Sequence, residues 1–256
     1  MTDFFDTIEP TLYDLSLPYV VPGVADAREV RQRSFTRLMD RAAGWTGIDI
    51  GIGTGSDIVT LLPANASGQI YGLDESRHLT EKIGASGRLP SPEHHKIAAE
   101  VLIADFAGDS PAPMLLERVP EGLDFATSAF AIHNVPIERQ RAAFQNVAQM
   151  LKIGSPFFYL DLISYDDGEL RRAADEADIA FIESQMTLVP QGVDPAKWHG
   201  LQSRWIEHYQ HENYLSPLSS RYSSRITSML TDAGFGAVEV LYRFHNTTLL
   251  LSRRER

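Results

Sequence analysis

The sequence predicts an α/β fold: a Rossmann-like, doubly wound sheet, mostly parallel, with an antiparallel C-terminal hairpin and a helical cap. Three observations carry this. Strand-like apolar runs alternate with helical patterns through the middle of the chain, the rhythm of parallel βαβ units. The first of these strands enters a turn with glycine at alternate positions, Gly51, Gly53 and Gly55, followed by a helix bearing Ile58, Leu61 and Leu62. The last two strands, 237–242 and 247–251, are joined near His245-Asn246 by a turn too short for a parallel crossover.

Composition narrows the function classes. The chain has 256 residues, enough for one domain and a cap, and its 43% hydrophobic content is ordinary for a globular core. With 23 Lys+Arg against 34 Asp+Glu the net charge is -11, which makes a phosphate backbone a poor partner, so nucleic acid is not expected. There is no cysteine, hence no disulfide framework, thiolate metal site or sulfur nucleophile. No apolar run reaches the roughly 18 residues of a membrane span, and the acidic start lacks a signal core. A cytoplasmic protein without membrane attachment is the expectation.

Taken in order, residues 1–43 read as an N-terminal arm or lid. Its first 24 residues are aromatic and broken by Pro10, Pro18 and Pro22, and 26–43 are helical, with Val30, Leu38, Met39 and Ala42 on one face. The arm brings Tyr13 and Tyr19 as candidate ligand contacts. A core follows over 44–163. Its strand Ile48-Asp49-Ile50 ends at the glycine turn, where missing Cβ atoms and the N–H groups of the next helix make room for a ligand. A second strand ends at Leu73-Asp74-Glu75, about 20 residues past the glycines, where a Rossmann-like unit places its ribose-binding acid. Residues 84–96 form a loop, and a third strand ends at Ala104-Asp105-Phe106. The fourth runs through 123–130 and leads by His133 and Pro136 into a helix with Phe144, Val147, Ala148 and Leu151 on its face. The fifth, Pro156 to Ile163, reads as a buried strand, apolar but for Asp161. Residues 164–218 break the rhythm as a helical cap with Trp198, Trp205, His208 and Tyr209. Residues 219–256 return to the core as a helix and the closing hairpin.

The glycine run is not a dinucleotide fingerprint, because Ser56 stands where the third glycine belongs, and no Gly-Lys-Ser/Thr of a phosphate loop occurs. The stretch Asp49-Ile50-Gly51-Ile52-Gly53-Thr54-Gly55 resembles the first motif of the class I S-adenosylmethionine-dependent methyltransferases. Leu73-Asp74 is similar to their ribose motif, Ala104-Asp105-Phe106 to their adenine motif, and Ser128 to Asn134 to their fourth-strand segment. Met150-Leu151-Lys152-Ile153-Gly154 resembles their Leu-Lys-Pro-Gly-Gly turn, with Ile153 and Ser155 replacing Pro and the second Gly. The resemblance covers roughly 44–163 and 217–252. It implies a seven-stranded sheet with S-adenosylmethionine at the strand ends and S-adenosylhomocysteine as product. Gly51, Gly53 and Gly55 would admit the methionine moiety, and Asp49 would place its amino group. Asp74 and Glu75 would meet the ribose, Asp105 and Phe106 the adenine, and Ser128 and Phe130 the floor under the sulfonium.

About the acceptor the resemblance says little. His133, just after the fourth strand, is the candidate base. Tyr13, Tyr19, Trp198, Trp205 and His208 are candidate substrate contacts, and they suggest a small aromatic or apolar acceptor. No metal is expected. His94-His95 lack ligand companions, and Asp161, Asp166 and Asp167 follow the strand where catechol-type members of the family hold magnesium, but Leu162 replaces the needed Asn. Members of the family are often dimers, and a homodimer is the assembly this resemblance allows. The Pro18-Tyr19/Pro22-Gly23 segment and the tail also resemble carboxy-S-adenosylmethionine synthases, which modify the cofactor itself through a basic anchor; Arg204, Arg221 and Arg225 are the candidates for it. A non-catalytic module binding S-adenosylmethionine or S-adenosylhomocysteine is the third reading, against which the long aromatic cap speaks.

Overall fold

A computed structural model of the chain describes residues 8–39, 44–64, 66–87, 89, 97–109, 111–185, 187–212 and 222–256. Its strands are β1 (Trp45–Ile50), β2 (Gly68–Asp74), β3 (Ile97–Ile103), β4 (Phe125–Ala129), β5 (Pro156–Leu162), β6 (Glu239–Phe244) and β7 (Thr247–Arg253). They form one seven-stranded sheet in the order β3-β2-β1-β4-β5-β7-β6. The first five are parallel, and β7 runs antiparallel to both β5 and β6. The winding reverses between β1 and β4, so a crevice opens at the carboxyl ends of those strands, where open α/β sheets bind ligands.

Helices cover both faces. On one lie α2 (Val24–Met39), α3 (Ser56–Leu61) and α4 (Arg77–Ser86), which bury Phe35, Ile58, Leu61 and Ile83 against Ile70, Phe125 and Phe158. Phe35 is the keystone there, with its ring edge-on to Phe125 at 4.8 Å and to Trp45 at 5.3 Å. On the other face α5 (Pro111–Leu116), α6 (Ile137–Met150) and α9 (Ser223–Ala233) pack Leu115, Phe144, Val147 and Leu230 on Ile48, Ile50, Phe157 and Tyr159. Strand β5 is buried at every position, so both of its faces need apolar side chains.

A third layer caps the carboxyl edge. Helices α1 (Pro10–Val20), α7 (Gly168–Gln185) and α8 (Pro195–Glu212) share an apolar cluster with Phe130, Leu160, Leu162 and Leu249. The prolines of the arm therefore do not break it over 10–20. Pro10 sits in the first helical turn, where a missing N–H costs nothing, and the Glu9 carboxylate accepts the amides of Thr11 and Leu12, both at 3.1 Å. Pro18 comes so near the end that only one helical hydrogen bond is forfeited. Of the closing strands, β6 starts and ends two residues later than the sequence pattern suggests, and β7 runs two residues further from the turn, to Arg253.

The cap is tied to that turn by buried polar groups. Asn246 donates 2.9 Å hydrogen bonds to Asp175 and Asp178 of α7, and His245 Nδ1 lies 2.9 Å from Asp178. Burial pushes the Asp178 carboxyl up to about 6, against the bonds from Asn246 and His245 that favour its charged form. The folded chain thus keeps this proton where the unfolded chain has lost it, so the contribution to stability is full below about pH 4 and lost as pH rises through about 6. Urea unfolding from pH 5 to pH 7.5 should show wild type losing more stability than Asp178→Asn; parallel curves would refute this assignment.

Candidate active site

The crevice holds a cavity of about 260 Å³ walled by the ends of β1 to β4 and by α1. Its shape comes from the glycine turn. Gly51 has φ +73°, and a Cβ there would lie 2.1 Å from that of Ala131 on the loop after β4. Gly53 has φ +49°, and its missing Cβ would face open space. Gly55, at φ +81°, starts α3 and donates its N–H to the Ile52 carbonyl at 2.8 Å. These left-handed angles are cheap only for glycine.

The strand-end acids Asp74 and Asp105 converge as their spacing suggests, but each has partners of its own. Asp74 accepts the Gly53 amide at 2.7 Å and the Ser76 amide at 2.8 Å, so one carboxylate fastens the loop after β2 to the glycine turn. Burial raises its pKa, and those amides oppose the shift. Asp105 accepts the Ala107 amide at 2.9 Å and is paired with Arg139 of α6. Burial works to raise Asp105, but Arg139 and that amide outweigh it and hold its pKa down. Glu75 borders the same region, its pKa raised by burial and then by the Asp105 charge. Asp49 lies buried beneath the turn, and its Oδ1 has no hydrogen-bond partner among the described residues. Burial raises its pKa well above the usual carboxylate range.

Gly51, Gly53, Asp74, Glu75, Asp105, Phe106, Phe130 and Tyr13 all line the cavity. Phe130 takes a left-handed φ of 53°, unusual for an aromatic residue, and its amide is fixed on the Leu160 carbonyl at 2.9 Å. Ser128 is fully buried and donates to the Ile50 carbonyl at 2.9 Å, supporting that floor from below. The cap residues stand further off. Trp198 is fully buried with its indole N–H on the Leu188 carbonyl at 2.7 Å, and Tyr19 packs edge-on against it at 5.1 Å. Trp205 donates to Ser16 at 3.1 Å, and its ring lies 6.1 Å from that of Tyr13. These three side chains are the packing of α1 against α8. The side chain of His208 lies outside the described residues, as do His94, His95 and Arg221.

His133 follows β4 on a single 3-10 turn (Ile132–Asn134), and its Nδ1 hydrogen-bonds to Asp161 at the end of β5. Asp161 is fully buried and also accepts the Tyr159 hydroxyl at 2.7 Å and the Leu162 amide at 2.8 Å. Burial alone would raise its pKa; the His133 ring, ahead of the hydroxyl and the amide, outweighs burial and holds it below the usual range. An ionised Asp161 favours a proton on the Nδ1 that faces it. The sequence names Asp161 only as a candidate metal ligand.

Other residues emerge from the structure alone. Asp57 accepts Arg28 at 2.9 and 3.0 Å and Arg31 at 2.9 Å, tying α2 to α3. Burial raises its pKa, but the two guanidiniums outweigh that and hold it down. Thr54 in the glycine turn donates to Asp14 of α1 at 2.6 Å. Arg139 had one signal, a cation in the first turn of a helix, where the helix dipole disfavours it.

Among known structures the chain superposes on the CurJ carbon methyltransferase with a TM-score of 0.59 at 14% identity, covering 97% of this chain and 62% of that one. For the DszA carbon methyltransferase the TM-score is 0.56 at 16% identity, over 94% of this chain and 57% of that one. For the magnesium protoporphyrin IX methyltransferase of Synechocystis, solved with bound SAM, it is 0.52 at 14% identity, over 99% and 94%. The chain thus spans less than two thirds of the first two proteins. No protein-family model and no curated protein sequence matches it. What is shared at these identities is architecture, and the fold is that of the class I S-adenosylmethionine-dependent methyltransferases. No helix among the described residues is long and apolar enough to cross a membrane.

The two glycines separate shape from access. Gly53→Ala should fold with a loss of only about 1–2 kcal/mol from its left-handed φ, while its methyl group narrows the cavity. Gly51→Ala must displace Ala131 and should lose several kcal/mol; equal thermal shifts for the two variants would contradict this account.

Proposed function

We propose that this protein is a methyltransferase that uses S-adenosylmethionine to methylate a small molecule, with S-adenosylhomocysteine as product. The observation that carries the reading is the convergence on one cavity of the glycine turn, Asp74 and Asp105-Phe106, in the order in which methionine, ribose and adenine lie along that cofactor. The residues present suit it. Asp49 Oδ1 is a buried acceptor without a partner among the described residues, which an ammonium group would satisfy. Gly53 faces open space, and Asp74 still has acceptor capacity for ribose hydroxyls after taking two amides. Asp105 would take the exocyclic amine in place of Arg139, with Phe106 beside the ring, Glu75 toward the ribose, and Phe130 above Ser128 as the floor.

When bound, the cofactor supplies an activated methyl group on a sulfonium, which an acceptor displaces in line. The chain's part is to orient that acceptor, exclude water and take its proton. His133 is suited to the last task. With Nδ1 turned to Asp161, Nε2 would be the ring nitrogen that takes a proton from a hydroxyl, an N–H or an acidic C–H, and the buried Asp161 would stabilise the imidazolium formed. Tyr13, which lines the cavity from α1, is the arm residue that would meet bound molecules; Tyr19, Trp198 and Trp205 would act by holding the cap in place. A carboxylated co-substrate, as a carboxy-S-adenosylmethionine synthase needs, would call for an unspent cation. Arg139, the one basic residue on the cavity wall among the described residues, is already paired with Asp105.

Calorimetric titration with S-adenosylmethionine, S-adenosylhomocysteine and NAD tests the reading. The first two should bind, and Asp74→Ala should weaken both by at least about tenfold, the worth of one charge-assisted hydrogen bond. Binding of NAD alone, or of nothing, would end it. With a competent acceptor, His133→Ala and Asp161→Asn should each lower kcat by roughly 10²–10⁴ while S-adenosylhomocysteine binding stays close to wild type; unchanged kcat would remove His133 from the mechanism.

A further inference from the structure

Arg31 is a fully buried guanidinium that the mechanism above leaves without a task. It projects from α2 and spends a single nitrogen, Nη2, on the Asp57 carbonyl at 2.8 Å, the Asp57 carboxylate at 2.9 Å and the Thr60 hydroxyl at 3.4 Å. Asp57 does not need Arg31 for its neutrality, because Arg28 already grips both of its carboxylate oxygens. The Nε and Nη1 groups of Arg31 are buried and have no hydrogen-bond partner among the described residues. Buried donors without acceptors are expensive, and a cation with two of them is more so.

Matching acceptors face the same way. Ile48 and Ile50 pack beneath α5, α6 and α9, so Asp49 between them points to the opposite face of the sheet, where α2 lies. Asp49 pairs in register with Thr127 on β4, and Thr127 is two residues from Phe125, whose ring meets Phe35 of α2. Asp49 Oδ1 and Thr127 Oγ1 are both buried and both without a partner among the described residues. One face of the sheet thus holds two spare donors, one spare carboxylate oxygen and one spare hydroxyl. Three other charges act on Asp49: Arg31 favours its ionised form, whereas Asp57 and Asp74 oppose it.

We propose that Arg31 is a positioning residue for cofactor recognition: from α2 it holds the Asp49 carboxylate as a charged, oriented acceptor, together with the Thr127 hydroxyl, so that the cavity selects ligands bearing an α-ammonium group. The inference rests on the methyltransferase reading for the identity of the ligand, but not for the coupling of Arg31 to Asp49. Neutral Asp49 would accept an ammonium poorly, and Arg28, the other guanidinium of α2 on that face, is spent on both oxygens of Asp57. Arg31 therefore acts on the methionine end of the ligand without touching it and leaves the nucleoside end alone.

Two measurements test this. The first compares binding of S-adenosylhomocysteine with that of 5′-methylthioadenosine, which keeps adenine, ribose and thioether but lacks the amino-acid end. Arg31→Met should weaken the former by about tenfold or more and the latter by no more than about twofold, and Arg31→Lys should restore part of the loss. Arg31→Met combined with Asp49→Asn should bind no worse than Asp49→Asn alone, the non-additivity of residues that act as one unit. Equal weakening of both ligands, or no weakening, overturns the proposal. The second follows the Asp49 side-chain carboxyl carbon by NMR in the ligand-free protein, where it should titrate at lower pH in wild type than in Arg31→Met. Superimposable titrations overturn the proposal even if the ligands bind. Should wild type bind neither ligand, the methyltransferase reading falls, and the carboxyl titration still decides whether Arg31 controls Asp49.

Discussion

The carboxylate of Asp74 holds the site together. It takes the amide of Gly53 in one loop and that of Ser76 in the next, so two strand ends are joined by one side chain that also faces the cavity. The glycine turn is also held by the Gly51 amide on the Leu73 carbonyl at 2.7 Å and by Thr54 on Asp14, and Asp74 adds the tie at Gly53, where glycine carries the most conformational freedom. Such an arrangement places a group for binding and a group for folding in the same atoms, and it explains why a buried acid is tolerated there although burial opposes its charge.

Around that anchor the N-terminal helices are built onto the site rather than beside it. Thr54 of the glycine turn is bonded to Asp14 of α1, and Asp57 just beyond the turn is held by Arg28 and Arg31 of α2. The cap helices in turn rest on α1 through Trp205 and Ser16, and on the closing hairpin through Asp175, Asp178 and Asn246. A chain of buried polar contacts therefore runs from the turn to the cap and on to β7. Buried ion pairs of this kind contribute less to net stability than to fixing one arrangement of the parts, because each charge has lost its water.

How much of this was legible in the sequence follows from distance along the chain. The glycine turn, Asp74 and Asp105 are written locally, since the end of a parallel strand is where both the loop and the ligand must be. The antiparallel close was legible because a two-residue turn permits nothing else. What escaped were pairings across long separations. His133 was a candidate on its position, but the partner that orients it, Asp161, is 28 residues away on another strand. Arg31 and Asp57 are 26 residues apart and Arg139 and Asp105 34, with no local pattern to couple them. The tryptophans of the cap could be read as core or as substrate wall, and only packing separates those readings; Trp198 proves fully buried. The helix over Tyr13 was hidden by its prolines, which break helices in the interior but not at the first turn.

The place of β7 has a bearing on how the protein is made. The latest strand in the sequence is an inner one, set between β5 and β6, and its residues Leu249 and Leu250 belong to two of the three apolar clusters. A nascent chain emerging from the ribosome therefore shows an open β5 edge until about residue 253 has been synthesised, with Leu160 and Leu162 uncovered. Through that interval it carries an unpaired hydrophobic strand edge, the feature most prone to pairing with another chain. Completion of the sheet beyond β5 therefore waits for β7, which pairs with β5 on one side and β6 on the other.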